Sequence, residues 1–386
     1  MKIMSVDDEP DMELLIRQKF RKRIKSGEYE FVFAENGLEA LTKLVEHPDI
    51  GIILTDINMP EMDGLTLLTK INELKNPTLK TVIVSAYGDM ENIRTAMNRG
   101  AFDFATKPID FEDLEITIRK TIEQVEVLQR AEKDSKQLSA IKHDLKIAKD
   151  IQQSILPKKF PPFPNRKDFE IYASMNSAKS VGGDFYDFFL INDEMLGFVI
   201  ADVSDKGIPA AIYMAVSRTI IRAAALTGLS PEKCMEYSND LLSKENISDM
   251  FVTVFYGILN TKTGEIIYSN AGHNPPCILK KDGTVIETEL THDIVLGIME
   301  DTKFKTKNIN LKPGDTIYLY TDGVTEAMNK KHELYSEERL EKELIKLKDS
   351  SPQEIINGII STIEEFTKGA EQSDDITMLT LKYNGN

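Results

Sequence analysis

Cysteine is scarce in this 386-residue chain: Cys234 and Cys277 are its whole complement. Two thiols cannot build a disulfide framework, and their number points to a reducing compartment. Long apolar runs are missing too. No stretch of about 18 apolar residues occurs, so no membrane-spanning helix is expected. At the N-terminus, MKIMSVDDEPD, acids arrive before a signal-peptide core could form. Positive charge is in deficit, with 47 basic residues against 63 acidic ones, and the net charge of -16 would repel nucleic-acid phosphates. The expected location is cytoplasmic, with neither nucleic acid nor a membrane as partner. What remains is an acidic chain suited to collecting carboxylates around cations. Its 41% apolar and 28% charged content excludes a disordered polymer, and its length exceeds one ordinary core. Two domains and a connector are the natural organisation.

From residue 1 to about 109, the β-rich runs KIMSV, EFVFA, IGIILT, TVIVS and AFDFAT alternate with amphipathic segments such as LEALTKLVEH and NIRTAMNRG. That rhythm predicts a doubly wound, flavodoxin-like α/β domain with five parallel strands, IGIILT being central. Residues 110–156 read as one long helix. Leu114, Ile118, Thr121, Val125 and Leu128 form a coiled-coil seam, RAEKDSKQ interrupts it, and Leu138, Ile141, Leu145, Ala148, Gln152 and Ile155 resume it one residue out of phase. A homodimer through this helix is expected. Pro157, Pro161, Pro162 and Pro164 then stop it. Residues 157–386 show strand runs (DFYDFFLI, MLGFVIADV, FVTVFYGIL, EIIYSNA, TIYLYT, ITMLTLK) around one apolar helix, IPAAIYMAVSRTIIRAAALTG, with two later helices. Strands and helices grouped apart predict an α+β domain.

The chemistry begins at strand ends. Asp7 and Asp8 follow the first strand, Asp56 the third, Ser85 ends the fourth and Lys107 the fifth. In a doubly wound sheet these carboxyl ends converge on one crevice. Three carboxylates there call for a hard cation such as Mg²⁺, and a hydroxyl and an ammonium beside them complete a phosphoryl-transfer pocket. SVDDEP, LTDINMPEMDGL, VSAYGD and DFATKPI resemble, in order and spacing, the motifs of response-regulator receiver domains. That resemblance implies that Asp56 accepts a phosphoryl group from a sensor histidine kinase. It further implies that Asp8, Asp56 and the Asn58 carbonyl ligate Mg²⁺ with Asp7 nearby, and that Ser85 and Lys107 contact the phosphoryl group. Phe104 occupies the position of the family's switch aromatic.

A second carboxylate set comes from VGGDFYD, ADVSDKGIPAA, YTDGVTEA and SDDIT, each placing an Asp at a strand end near small residues. Carboxylates without His or Cys partners select Mg²⁺ or Mn²⁺ over zinc. These segments, with the lead-in AKDIQQSILP, resemble the metal-dependent PPM (PP2C-type) protein phosphatases, specifically the bacterial group related to sporulation and stress-response regulators. The resemblance implies a β-sandwich flanked by helices and two Mn²⁺ or Mg²⁺ ions. Asp202 would bridge both metals, Val203 would offer its carbonyl, Asp322 and Asp374 would ligate the second ion, and Asp184 would act directly or through water. Asp187, Asp205 and Asp375 are expected to be solvent-facing turn residues, Gly182-Gly183 a tight turn, and His273 a loop brace. The family often has Gly where Asp205 stands, and Lys179 is the candidate phosphate-binding cation.

The expected whole is a response regulator with a serine/threonine phosphatase output. By family analogy its substrate is a phosphorylated STAS-type anti-anti-sigma factor. A receiver-controlled scaffold with an inactive phosphatase domain is the alternative, and the complete set Asp184, Asp202, Asp322 and Asp374 counts against it. A DNA-binding output would need a basic recognition helix, which the sequence lacks.

Overall fold

The computed structural model describes residues 1–86, 89–244, 249–291 and 293–385. They divide into two compact units, Met1–Ile141 and Lys142–Asn386.

In the first unit, strands β1 (Lys2–Val6), β2 (Glu30–Ala34), β3 (Ile50–Asp56), β4 (Lys80–Ala86) and β5 (Asp103–Lys107) form an all-parallel sheet in the order β2-β1-β3-β4-β5. Helices α1 (Pro10–Lys19), α2 (Arg21–Lys25), α3 (Gly37–Glu46), α4 (Gly64–Glu73) and α5 (Met90–Asn98) connect them. Successive side chains of a strand point to opposite faces. Accordingly Ile3, Ile52 and Leu54 pack in one core cluster, while Met4 and Ile53 pack in another with Ala40, Leu67 and Ile71. Every residue of central β3 is buried, which is why IGIILT reads as an unbroken apolar run. This is the doubly wound receiver architecture.

Helix α6 (Phe111–Ile155) is continuous through RAEKDSKQ, a segment rich in good helix formers. Its apolar stripe is not one seam. Leu114, Ile118 and Val125 sit in the same cluster as Ile3 and Ile52, and Thr121 is fully buried beside them. The predicted first seam is therefore the receiver's own core face rather than a surface for a partner helix. Over three turns, packing on a sheet and packing on a helix require the same spacing, so the sequence could not separate them. Leu138 and Ile141 are exposed, whereas Gln152 is buried and Leu156 lies in the core of the second unit.

The second unit is a sandwich of two antiparallel sheets. Its strands are β6 (Phe169–Asn176), β7 (Phe185–Leu190), β8 (Met195–Val203), β9 (Val252–Asn260), β10 (Glu265–Ala271), β11 (Cys277–Leu279), β12 (Val285–Glu287), β13 (Lys307–Asn310), β14 (Thr316–Tyr320) and β15 (Ile376–Tyr383). One sheet has the order β13-β10-β9-β8-β7, the other β12-β11-β14-β15-β6. Phe198, Ile200, Phe255 and Leu259 of the first meet Ile171, Ile317, Leu319 and Leu379 of the second in one core. Helices α7 (Ile208–Leu226) and α8 (Pro231–Lys244) lie against the first sheet. The single turn α9 (Asp322–Thr325) follows β14, and α10 (Glu337–Lys346) and α11 (Pro352–Phe366) cover the second sheet. Among the described residues, no helix is long and apolar enough to cross a membrane.

Candidate functional site

In the receiver, parallel pairing sets Val6 beside Thr55 and Ala86 beside Lys107, so Asp7, Asp56 and Lys107 come to the same edge of the sheet. One oxygen each of Asp7, Asp8 and Asp56 lies within 4.8 Å of the others. Lys107 Nζ stands 2.7 Å from Asp56 Oδ2, 2.9 Å from Glu9 Oε1 and 3.1 Å from Asp7 Oδ2. Burial pulls the Lys107 ammonium down, but bonds to Asp56, Glu9 and Asp7 outweigh it and hold the pKa above its ordinary value. Burial pushes Asp7 up. Asp56 is buried, its Oδ1 accepting the Ile57 N–H at 2.6 Å. A Cβ on Gly64 would fall 2.0 Å from the Asp56 carbonyl oxygen, so the glycine of MDGL lets α4 start against the acceptor strand. The all-oxygen set fits a hard cation.

The other receiver candidates are distributed around this core. Asp8 and Asn58 are exposed. Ser85 is fully buried, its hydroxyl 3.3 Å from Asp89 Oδ2, and Phe104 is 38% exposed where a core phenylalanine would be hidden. Glu9 and Asp89 were missed by sequence reasoning, although both stand inside the quoted motifs SVDDEP and VSAYGD.

In the second unit, Asp184 precedes β7, Asp202 lies near the end of β8, Asp322 opens α9 and Asp374 precedes β15. Burial, then the Asp202 and Asp375 charges, raises Asp184 well above the carboxylate range; Thr321 Oγ1 donates to its Oδ2 at 2.7 Å. Asp202 is pushed up to about 7, first by burial and also by the charges of Asp322, Asp374 and Asp375, while a hydrogen bond with Asp184 opposes the rise. Burial, then Asp374, raises Asp322. Mutually repelling oxygen donors at buried and half-buried strand ends are a donor set that a divalent cation would relieve. As the side chains stand, no three ionisable ligands among the described residues of this unit close to within 4.8 Å of one another. Lys206 sits among them instead, its Nζ 2.7 Å from Asp374 Oδ2 and donating to the Ser373 carbonyl. Lys179 is exposed. The cation that reaches the acids is thus Lys206 of ADVSDKGIPAA, which sequence reasoning passed over.

Two expected turn acids are corrected. Asp375 is buried, its carboxylate accepting the Ala178 and Gly183 N–H groups at 2.8 and 2.7 Å. Asp187 is buried with Arg218 Nε at 2.9 Å and Arg222 at 2.6 Å, a tie from β7 to α7. Each lies next to or three residues from a candidate ligand, so proximity in sequence disguised a supporting role. Gly182 is likewise more than a turn: a Cβ there would lie 2.1 Å from Asp375 Oδ2. Gly183 also packs tightly on Val203, where a Cβ would be 2.9 Å from the carbonyl oxygen.

Asp205 is exposed, as expected, but has φ 73°. That left-handed conformation explains why glycine suits the position. Asp205→Gly is expected to stabilise the protein by about 1 kcal/mol and Asp205→Ala to destabilise it. Urea midpoints for the three proteins check the order, and a midpoint for the alanine variant above that of the glycine variant would contradict it.

His273 ties β9 to the end of β10. Its Nδ1 is 2.8 Å from Thr253 Oγ1, its N–H is held by Asn270, and burial lowers its pKa from 6.5 to about 4. A base depressed on folding contributes stability above its unfolded pKa, and that contribution is lost as pH falls from 6.5 toward about 4. Across that window wild type is expected to lose up to about 3 kcal/mol more than His273→Gln. Parallel stability–pH profiles for the two proteins would show that the imidazole is not held neutral.

Comparison with known proteins decides the family. The model of Stage II sporulation protein E (SpoIIE) matches residues 192–384. The chain belongs to the SpoIIE family. This SpoIIE-family chain also carries a response regulator receiver domain, matched at residues 3–119, and its second unit is a PPM-type serine/threonine phosphatase domain. It is 31% identical to phosphoserine phosphatase RsbU of Bacillus subtilis, over 63% of this chain and 70% of that protein. It is also 31% identical to protein IcfG of Synechocystis, over 62% of this chain but only 42% of the relative's length. The SiaA-PP2C domain of Pseudomonas aeruginosa shares the fold, with TM-score 0.57 and 20% identity over 64% of this chain and 98% of that one. Membership of the SpoIIE family implies a divalent-metal requirement.

Proposed function

We propose that this chain is a response regulator, phosphorylated on Asp56 by a cognate histidine kinase, that controls dephosphorylation of phosphoserine or phosphothreonine in a protein substrate. The observation that carries the reading is one polypeptide holding both a Lys107–Asp56 receiver pocket and the four-carboxylate set of Asp184, Asp202, Asp322 and Asp374. In the receiver, Mg²⁺ would be held by Asp8, Asp56 and the Asn58 carbonyl, with Asp7 beside them. In the phosphatase domain two Mn²⁺ or Mg²⁺ ions, held by Asp184, Asp202, the Val203 carbonyl, Asp322 and Asp374, would supply an activated water and neutralise phosphate charge.

The chain's own residues define the rest of the site. Asp375 fixes the backbone on which Asp184 stands, and Thr321 orients the Asp184 carboxylate. Lys206, 40% exposed at its side chain, is placed to meet an incoming phosphoryl group once a cation occupies Asp374. The substrate proposed is a phosphorylated STAS-type anti-anti-sigma factor, supported by the resemblance to RsbU and by acidic surroundings that disfavour nucleic acid. Homodimerisation through α6 is supported only by its exposed middle, where Leu138 and Ile141 face solvent in the single chain. The decisive experiment measures phosphate release from a phosphorylated STAS protein with Mn²⁺, before and after acetyl-phosphate treatment. Release that acetyl phosphate does not change would sever receiver from phosphatase, and no release from any phosphoprotein would favour the scaffold.

A further inference from the structure

We propose that Gln152, in the last turn of α6, is a positioning residue that clamps the 178–184 segment and so holds Asp184 ready for metal. The proposal deepens the reading above, since it rests on Asp184, Asp202, Asp322 and Asp374 forming the metal centre.

The first sign is burial out of character. Ile151 is 58% exposed while its polar neighbour Gln152 is only 5% exposed. A buried primary amide is costly unless its donors and acceptor find partners. Gln152 finds them on one residue: its Nε2 donates to the Gly182 carbonyl at 2.6 Å, and its Oε1 accepts the Gly182 N–H at 3.1 Å. The side chain thus pairs with Gly182 as a neighbouring strand would, from thirty residues away. The helix end that aims it is itself fixed, because Leu156 is in the core and Tyr186 Oη donates to the Pro157 carbonyl at 2.9 Å.

Gly182 is gripped from its other side as well. Asp375 lies so close that no Cβ would fit, and it takes the Ala178 and Gly183 N–H groups. Two residues beyond Gly182, the Asp184 carboxylate is held by Thr321, whose Oγ1 also accepts the Thr377 N–H at 3.0 Å. The segment bearing Asp184 is therefore clamped between an amide from α6 and a carboxylate adjoining Asp374. Removing the amide leaves the Gly182 main chain unpaired in a buried place and frees one side of the clamp. Residues that orient metal ligands in this way typically contribute ~10- to 100-fold to metal affinity.

The test uses the full chain as wild type, Gln152→Met, Gln152→Glu and Asp202→Asn. Methionine keeps the volume and helix preference but neither bond; glutamate keeps the acceptor and loses the donor. Mn²⁺ binding is measured calorimetrically, with Asp202→Asn defining the signal that does not come from the phosphatase centre. Amide hydrogen exchange across residues 178–184 is followed in chelated protein. The expected result is Mn²⁺ affinity at this centre weakened ~10- to 100-fold in Gln152→Met and less in Gln152→Glu. Faster exchange is expected in residues 178–184, with β8 and β9 unchanged. Wild-type affinity and exchange in Gln152→Met would overturn the clamp, as would faster exchange spread evenly over the domain. Identical Mn²⁺ binding by wild type and Asp202→Asn would instead refute the metal-centre reading, and the clamp with it.

Discussion

Asp202→Ala is expected to lower phosphate release by ~10³-fold or more, at any practical Mn²⁺ concentration, while making the metal-free protein more stable. The two effects have one cause. Burial, with the charges of Asp322, Asp374 and Asp375, pushes Asp202 up to about 7. A carboxylate whose pKa rises on folding makes the folded state bind protons in excess, so stability falls as pH rises from about 4 through about 7. At pH 8 the metal-free protein carries that repulsion in full, and alanine removes it. The melting temperature of chelated Asp202→Ala at pH 8 should exceed that of wild type by ~2–4 °C for each kcal/mol relieved. Activity and stability are then measured on one preparation. A variant that loses both has merely misfolded; one that keeps full turnover under saturating Mn²⁺ places the catalytic centre elsewhere.

Sheet topology explains what the sequence could and could not disclose. Strand-end residues in a parallel sheet are announced by order alone, so the sequence itself places Asp7, Asp8, Asp56 and Lys107 at one edge. The antiparallel sandwich gives no such rule. Its acids come from segments up to 190 residues apart, and only family resemblance joined Asp184 and Asp202 to Asp322 and Asp374. Helix α8 was missed because its buried positions, Cys234, Met235, Ser238, Asn239 and Leu242, have helical spacing but include two polar residues. Asn239 is buried because its amide serves the Met299 carbonyl and the Gly297 N–H, a destination invisible in a hydrophobicity pattern. Gln152 was misread for the complementary reason. It fell on a heptad position, and spacing cannot tell a side chain facing a partner helix from one hydrogen-bonded to its own domain. Strand β6 contributes Ile171 and Ala173 to the core but alternates them with Glu170 and Tyr172 in a run too mixed to stand out.

Asp56→Asn is expected to abolish labelling by acetyl phosphate, at least ~10²-fold below wild type, and to fix phosphatase activity at one level whatever the phosphodonor. Three aspartates share this pocket, and geometry distinguishes them. Asp8 is exposed, and Asp7 is drawn toward its neutral form by burial, which weakens it as a nucleophile. Asp56 is buried at the end of β3, with Oδ1 taken by the Ile57 N–H and Oδ2 held 2.7 Å from the Lys107 ammonium. Asparagine can keep the Ile57 bond, so the fold should survive, but it offers no anionic oxygen for transfer. Lys107→Ala separates nucleophile from support. It leaves the Asp56 oxygens in place while removing the cation that Asp56, Asp7 and Glu9 share, so labelling should slow without vanishing. Label retained on Asp56→Asn and lost on Asp7→Asn would move the acceptor to the first strand. Label lost on Asp56→Asn, with phosphatase activity still responding to acetyl phosphate, would mean that the phosphodonor acts on this protein by some route other than the receiver pocket.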